Sequence, residues 1–259
     1  MRRRASTIGL AALVAATLLV GPALGERKQH GEVIASLDGG VSPRRLPRDR
    51  PAPVTVRLEG GLRTADGSQL PRVTSVELGL PPQGILNTRG LPTCTVRRLR
   101  NRKSPAALAT CRPALVGHGR LEAEVALPGQ APFSVDARLL VFNGRLPGGR
   151  HAILLHAYAV RPPTVVVLPL VSRRRGGRFP TALVGRVPRA LGPWPRIAHF
   201  EMTIGRSYNY GGRRRSFLSA SCPIPPRFTA GFLSFASATY TLVDGRSLAV
   251  EIVRSCRGR

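Results

Sequence analysis

The segment "FSVDARLLVFN" (residues 133–143) alternates apolar and polar side chains with a period of two. The odd-numbered positions from 133 to 141 are apolar, whereas Ser134, Asp136 and Arg138 occupy alternate positions. Successive side chains of a strand point to opposite faces, so one face of this segment fits a core and the other fits solvent. The segment therefore predicts a half-buried strand of an antiparallel sheet.

The same alternation recurs at 54–58, 76–80, 198–204 and 248–252, and the continuous apolar run 165–168 predicts a central strand. Turn-forming pairs separate these segments: Asp66-Gly67, Asn143-Gly144, Gly148-Gly149, Gly176-Gly177, Gly211-Gly212 and Asp244-Gly245. About a dozen strand candidates and one short helix predict an all-β protein. The body is expected to be an antiparallel β-sandwich or a barrel-like sheet.

Residues 1–25 have the three parts of a signal peptide: the basic run Arg2–Arg4, the apolar run Ile8–Val20, and small residues at Ala23 and Gly25. A membrane anchor is the alternative, but the run is shorter than the roughly 20 residues that a bilayer requires. We expect a secreted, extracellular protein without a transmembrane segment in the mature chain. Association with the cell wall is left open.

Composition divides the mature chain into two parts. Residues 26–51 are rich in Arg, Pro and Gly and predict an extended lead-in, whereas residues 52–259 predict the β-rich body. An all-β unit of this length can form one domain. A subdivision near the Gly-rich stretch 144–150 is left open.

The four cysteines are Cys94, Cys111, Cys222 and Cys256. An even number in an exported chain favours disulfides, and proximity in the chain favours the pairs Cys94–Cys111 and Cys222–Cys256 among three pairings. Zinc is the alternative, but it requires closely spaced ligand pairs such as C-x-x-C, which this sequence lacks. We therefore predict neither a metal site nor a cofactor.

Between the first two cysteines lies a strongly basic segment with five basic residues: Arg97, Arg98, Arg100, Arg102 and Lys103. Residues 93–99 can extend, while Ser104 is a good helix N-cap, Pro105 suits the first turn and Pro113 ends the helix. The segment therefore predicts a strand, an exposed basic turn and a short helix, closed by a disulfide.

Charge is the most unusual property of the chain. The formal net charge is +27, and it falls to +24 without Arg2, Arg3 and Arg4. Codon usage of a GC-rich genome explains arginine instead of lysine, but it does not explain why acidic residues are scarce. Such a positive field attracts polyanions, and the planar guanidinium binds phosphate and carboxylate groups bidentately.

Two arginine clusters are candidate anion-binding sites. The first, "SRRRGGRF" (172–179), contains Arg173, Arg174, Arg175 and Arg178. The second, "YNYGGRRRSF" (208–217), places Tyr208 and Tyr210 beside Arg213, Arg214 and Arg215. Aromatic rings beside guanidinium groups can clamp a sugar or a base. The alternative is that the tyrosines pack structurally and the arginines are simply solvated.

Enzyme chemistry has little support in the sequence. It lacks the nucleophile elbow, the metalloprotease helix motif and the Walker loop, and Gly117-His118-Gly119 is too short for a dinucleotide-binding loop. His199 and Glu201 share a strand face and could act as base and carboxylate. His156 is expected to be a buried structural histidine. We predict no catalytic residue.

Five segments resemble a group of secreted proteins from GC-rich actinobacteria that have no assigned activity: "RGLPTC" (89–94), "SPAALATC" (104–111), "LVGHG" (115–119), "APFSVDARLLVFNG" (131–144) and "SFLSASCP" (216–223). The resemblance covers most of the mature chain and implies no binding residues.

The leading functional hypothesis is a non-catalytic structural or binding role at the cell envelope. The expected partner is an anionic envelope polymer or a lipid surface. The alternatives are a secreted hydrolase with an unrecognised site, and an extracellular polyanion or nucleic-acid binder, although the chain has no specific nucleic-acid motif.

Overall fold

The computed structural model describes residues 26–188, 192 and 194–259. The signal peptide predicted for residues 1–25 lies outside the described residues. No helix in the described part has the length and apolar character that a membrane span requires.

The described residues form a strand-rich structure with two short helices. The strands are β1 (Glu26–His30), β2 (Val33–Ser42), β3 (Arg45–Leu46), β4 (Ala52–Pro53), β5 (Thr55–Thr64), β6 (Val73–Leu80), β7 (Gly84–Leu86), β8 (Leu115–Val125), β9 (Phe133–Arg145), β10 (His151–Ala159), β11 (Thr164–Arg174), β12 (Thr181–Arg186), β13 (Pro195–Ile204), β14 (Ser207–Tyr210), β15 (Arg213–Ser216), β16 (Leu218–Ala220), β17 (Ala230–Leu242) and β18 (Ser247–Gly258). The helices are α1 (Val96–Leu99) and α2 (Ser104–Cys111), and short 3-10 turns lie at Arg112–Ala114 and Pro147–Gly149.

One 13-stranded sheet carries the fold, in the order β1-β2-β5-β13-β8-β9-β10-β11-β12-β6-β17-β18-β3. Neighbouring strands are antiparallel, apart from the short parallel pairing of β3 with β18. The prediction of an all-β antiparallel body is confirmed. The single curled sheet corresponds to the barrel-like alternative rather than to two packed sheets.

The sheet curls until β18 lies beside β2. Side chains join these two strands: the Nε of Arg254 donates to the carbonyl oxygen of Gly39 at 2.8 Å, and its guanidinium pairs with Asp38. Further along, Arg246 pairs with Glu32 at 3.0 Å. We call this junction the seam.

Two glycines allow neighbouring strands to approach closely on either side of β13. A Cβ on Gly119 of β8 would collide with the carbonyl oxygen of Glu201, and one on Gly61 of β5 would collide with that of Ala198. A glycine in a strand permits such an approach and the bend that curls a sheet. The Gly117-His118-Gly119 motif thus has a structural role in the sheet.

The two ends of the curled sheet differ. At one end, the three-stranded sheet β4-β16-β7 packs over the interior. Phe217 and Leu218 are buried there, and the Cys222–Cys256 disulfide, with a Cα–Cα distance of 6.0 Å, joins this cap to β18. We call this the capped end. The opposite end carries the turns 65–72, 126–132, 160–163 and 243–246, and we call it the cavity end.

A helical cover, residues 94–114, packs against the outer face of β9 and β10. Leu99 and Ala107 of the cover meet Phe142 and Leu154 in a second hydrophobic cluster, separate from the interior of the sheet. The Cys94–Cys111 disulfide closes the cover, with a Cα–Cα distance of 5.7 Å. Both predicted disulfides are therefore present.

Two details of the cover differ from the sequence predictions. Residues Val96–Leu99 form a helical turn instead of an extended segment. Ser104 is the first residue of α2 rather than its N-cap, and its Oγ is buried without a hydrogen-bond partner in the described part. Pro105 lies in the first turn, as predicted.

The stretches that composition or turn signals set apart lie within the main sheet or join its strands. The lead-in predicted for 26–51 contains β1 and β2, which belong to the main sheet. The stretch 144–150 joins the paired strands β9 and β10 of that sheet. Asn143-Gly144 lies inside β9. The Asn143 amide donates to the carbonyl oxygens of Leu91 and Pro92, which precede the cover.

Candidate functional site

The arginine tip, residues 172–179, is the predicted hairpin between β11 and β12. Two of its arginines form ion pairs with carboxylates on the outer face of the sheet: Arg175 with Glu77, and Arg178 with Glu251 at 3.0 Å. Arg173 and Arg174 are exposed and lack an acidic partner among the described residues. Half of this predicted cluster is therefore engaged in holding the hairpin on the sheet.

The second cluster forms a two-stranded hairpin, β14–β15, which we call the tyrosine–arginine hairpin. Cross-strand pairs place Tyr208 opposite Arg215 and Tyr210 opposite Arg213. The guanidinium carbon of Arg215 lies 5.6 Å from the centroid of the Tyr210 ring, within the range of a cation–π contact. The tyrosines therefore lie beside the arginines in the structure, as they do in the sequence.

The base of this hairpin is held by hydrogen bonds. Arg206 donates to the carbonyl oxygen of Leu115 at 2.6 Å, and Tyr208 donates its hydroxyl proton to the carbonyl oxygen of Arg89 at 2.9 Å. Burial raises the pKa of the Tyr208 hydroxyl, which keeps it a donor. Tyr208 is thus a structural anchor, whereas Tyr210 packs its ring against Gly90 and stays 39% exposed.

The tip of the tyrosine–arginine hairpin presents unpaired positive charge. Arg213 and Arg214 are exposed, and Arg215 is half-buried with an Nε that lacks a partner in the described part. The described residues place no carboxylate within ion-pair distance of these three guanidinium groups. The hairpin is therefore a cationic surface on a fixed base.

His199 and Glu201 lie on the outer face of β13, but they do not pair with each other. The Nε2 of His199 lies 3.8 Å from a carboxylate oxygen of Glu59 on β5, while Glu201 pairs with Arg57 at 3.1 Å. Arg57 also contacts Glu59 at 3.2 Å. The group is a partly exposed network of surface charges across β5 and β13.

His156 is buried between β10 and the helical cover, as expected for a structural histidine. Its Nε2 forms a 2.8 Å hydrogen bond with the carbonyl oxygen of Arg102, so the imidazole donates from this nitrogen. Desolvation lowers the pKa of His156 below its ordinary value. The histidine thus holds the basic turn of the cover onto the sheet.

An unfilled space lies inside the curled sheet, at the cavity end. A cavity of about 320 Å³ extends between β8, β9, β10, β11 and β13. Its wall includes Leu121, Leu155, Val166 and Leu168, which point inward and are nevertheless only half-buried. A smaller cavity of about 130 Å³ lies behind the cap at the other end.

Sequence reasoning missed the larger cavity, which arises where small side chains converge. The wall contains four alanines on three neighbouring strands: Ala123, Ala137, Ala157 and Ala159. Ala137 and Ala159 lie directly opposite one another in the β9–β10 register. Alternation alone marks these residues as inward-facing, but only the register shows that they face one another.

Tyr240 bounds the cavity on its far side. It crosses the interior from β17 towards β5, where a Cβ on Gly60 would lie 3.2 Å from the Tyr240 hydroxyl. Burial raises the pKa of Tyr240 well above its ordinary range, so the hydroxyl stays protonated. It has no hydrogen-bond partner within the described part of the chain.

The described part contains no group of three or more His, Cys, Asp and Glu side chains suited to a metal ion, and all four cysteines are disulfide-bonded. Comparison with known proteins finds no matching family model, no matching curated protein and no matching solved structure.

Proposed function

We propose that this protein is a secreted, non-catalytic binding protein that attaches to anionic polymers of the cell envelope. The two disulfides support an oxidising, extracellular location. The tyrosine–arginine hairpin carries the proposal because it combines Arg213, Arg214 and Arg215 with Tyr210 on an anchored base.

Arginine is suited to this role because its planar fork binds phosphate and carboxylate oxygens bidentately. A hairpin whose base is already ordered loses little conformational freedom when it binds a ligand. The wider surface contributes as well: beyond residue 145, the sequence contains 18 arginines but only Glu201, Asp244 and Glu251 as acids. We expect long-range attraction from this surface and close contact at the hairpin.

Co-sedimentation with purified cell wall and with anionic vesicles tests the proposal. The protein should sediment with at least one of them at low salt. It should be released towards about 0.5 M salt, where the Debye length shrinks to roughly 4 Å. Soluble nucleic acid of several sequences serves as competitor, and displacement regardless of sequence indicates a charge-driven mode.

The variant Arg213→Ser/Arg214→Ser/Arg215→Ser tests the hairpin itself. Its matched control is Arg120→Ser/Arg138→Ser/Arg186→Ser, which removes the same charge from exposed positions on three separate strands. The hairpin variant should lose more retention than the control. Equal losses would remove the hairpin from the proposal, and no retention of the wild-type protein at low salt would overturn it.

A further inference from the structure

We propose that the interior cavity at the cavity end binds the aliphatic chain of a single-chain amphiphile, with the polar headgroup facing the surface. This site is independent of the arginine surface. The occupant we infer is a chain of about twelve carbon atoms, because a cavity of about 150 Å³ is known to hold benzene and this one is roughly twice as large.

The wall of the cavity is chemically suited to such a chain. It consists almost entirely of aliphatic and aromatic side chains, and its size falls within the range of small-molecule pockets, about 300–1,000 Å³. Inward-facing residues such as Leu155 and Leu168 pack against the core cluster but remain only half-buried. An occupant would remove this apolar surface from water, which is favourable in proportion to its area.

One polar side chain of the wall lies where a headgroup would be. Thr164 lies at the cavity end of β11, whereas Tyr240 lies deeper. Arg196 also borders the cavity, but it lies opposite Glu124 and between the inward-facing residues Pro195 and Ile197, so its side chain belongs to the outer face.

The cavity also reaches the protein surface at this end. Phe133 and Trp194 belong to its wall and are each 37% exposed. In the described part of the turns 126–132 and 160–163, the one charged side chain is Arg161. A carboxylate or a hydroxyl headgroup therefore meets no negative charge from these turns.

Binding is measured with N-phenyl-1-naphthylamine, an uncharged dye that fluoresces in apolar surroundings, and by its displacement with dodecanoate and with dodecanol. The dye should bind, and both ligands should displace it at 0.5 M salt. Displacement by dodecanoate alone, and only at low salt, would assign the effect to the arginine surface and overturn the inference.

The variant Ala123→Phe places a ring in the cavity and should weaken dye binding at least tenfold. Its melting temperature should stay within about 3 °C of wild type, because the space can accept the ring. The control Ala249→Phe makes the same change on the exposed outer face of β18 and should bind as wild type does.

Val166→Phe, on the opposite wall, provides a second blocking variant in case Ala123→Phe does not fold. Undiminished dye binding in a folded blocking variant, or no dye binding to wild type, would overturn the inference. Neither result depends on retention by cell wall or vesicles, so failure here is distinguishable from failure of the proposed envelope attachment.

Discussion

The capped end and the cavity end are built from the same strands, yet their interiors are filled differently. At the capped end, large side chains such as Phe217 lie under the cap sheet, and the Cys222–Cys256 disulfide holds that sheet to β18. At the cavity end, facing alanines leave about 320 Å³ open and side chains such as Leu168 half-buried. The difference indicates that the cap and its disulfide close one end, while small side chains leave apolar space unfilled at the other.

Truncation of large side chains should give the largest contrast between the two ends. Phe217→Ala should lower the free energy of unfolding by about 3–5 kcal/mol, because it removes a fully buried ring and enlarges the smaller cavity beside it. Leu168→Ala should cost less than about 2 kcal/mol, since that side chain already borders open space. Urea denaturation of both variants measures the contrast. Equal costs would show that the two ends are packed alike.

Removal of a disulfide should have the next largest effect on stability. In the chain-entropy model, loss of the bridge Cys222–Cys256, which spans 34 residues, costs about 3.8 kcal/mol. Loss of Cys94–Cys111, which spans 17, costs about 3.1 kcal/mol. Thermal melts of the two double Ser variants compare them. If either variant melted at the same temperature as the wild-type protein, its disulfide would not contribute to stability.

A smaller difference in stability is expected between two ion pairs. Arg254–Asp38 lies in the seam, whereas Arg178–Glu251 lies outside it. Arg254 is only 20% exposed and donates to a backbone carbonyl as well as to Asp38, so Arg254→Ala should cost about 2 kcal/mol. Arg178 pairs with Glu251 in solvent, so Arg178→Ala should cost less than about 1 kcal/mol. Denaturant unfolding of the two variants measures which one loses more free energy of unfolding. The reverse order would mean that the seam does not depend on Arg254.

The smallest expected effect is the pH response of the helical cover. The folded-state pKa of His156 is lowered, so its contribution to stability is present above the unfolded pKa of about 6.5 and is lost as the pH falls through the folded value. Melting temperature should therefore fall between pH 7 and pH 5. His156→Gln should reduce this fall, whereas His151→Gln, at an exposed position, should not. An identical fall in both variants would assign it to other groups.

Much of the architecture could be predicted from local patterns. The alternation of residues 133–141 predicted β9, and proximity in the chain predicted both disulfides. Properties that depend on register could not be predicted, such as the convergence of Ala137 and Ala159 or the pairing of His199 with Glu59. Local residue preferences also gave a wrong prediction at Asn143. This residue type favours turns, but here it lies inside β9 and donates a hydrogen bond to the segment before the cover.

Crystals of the protein pressurised with xenon test the central claim, that the interior of the cavity end is open, most directly. Xenon enters empty apolar cavities without needing a specific ligand. We expect electron density for xenon among Leu121, Leu155 and Leu168, with little movement of these side chains. Side chains that close this space, leaving no xenon between them, would contradict the difference between the two ends.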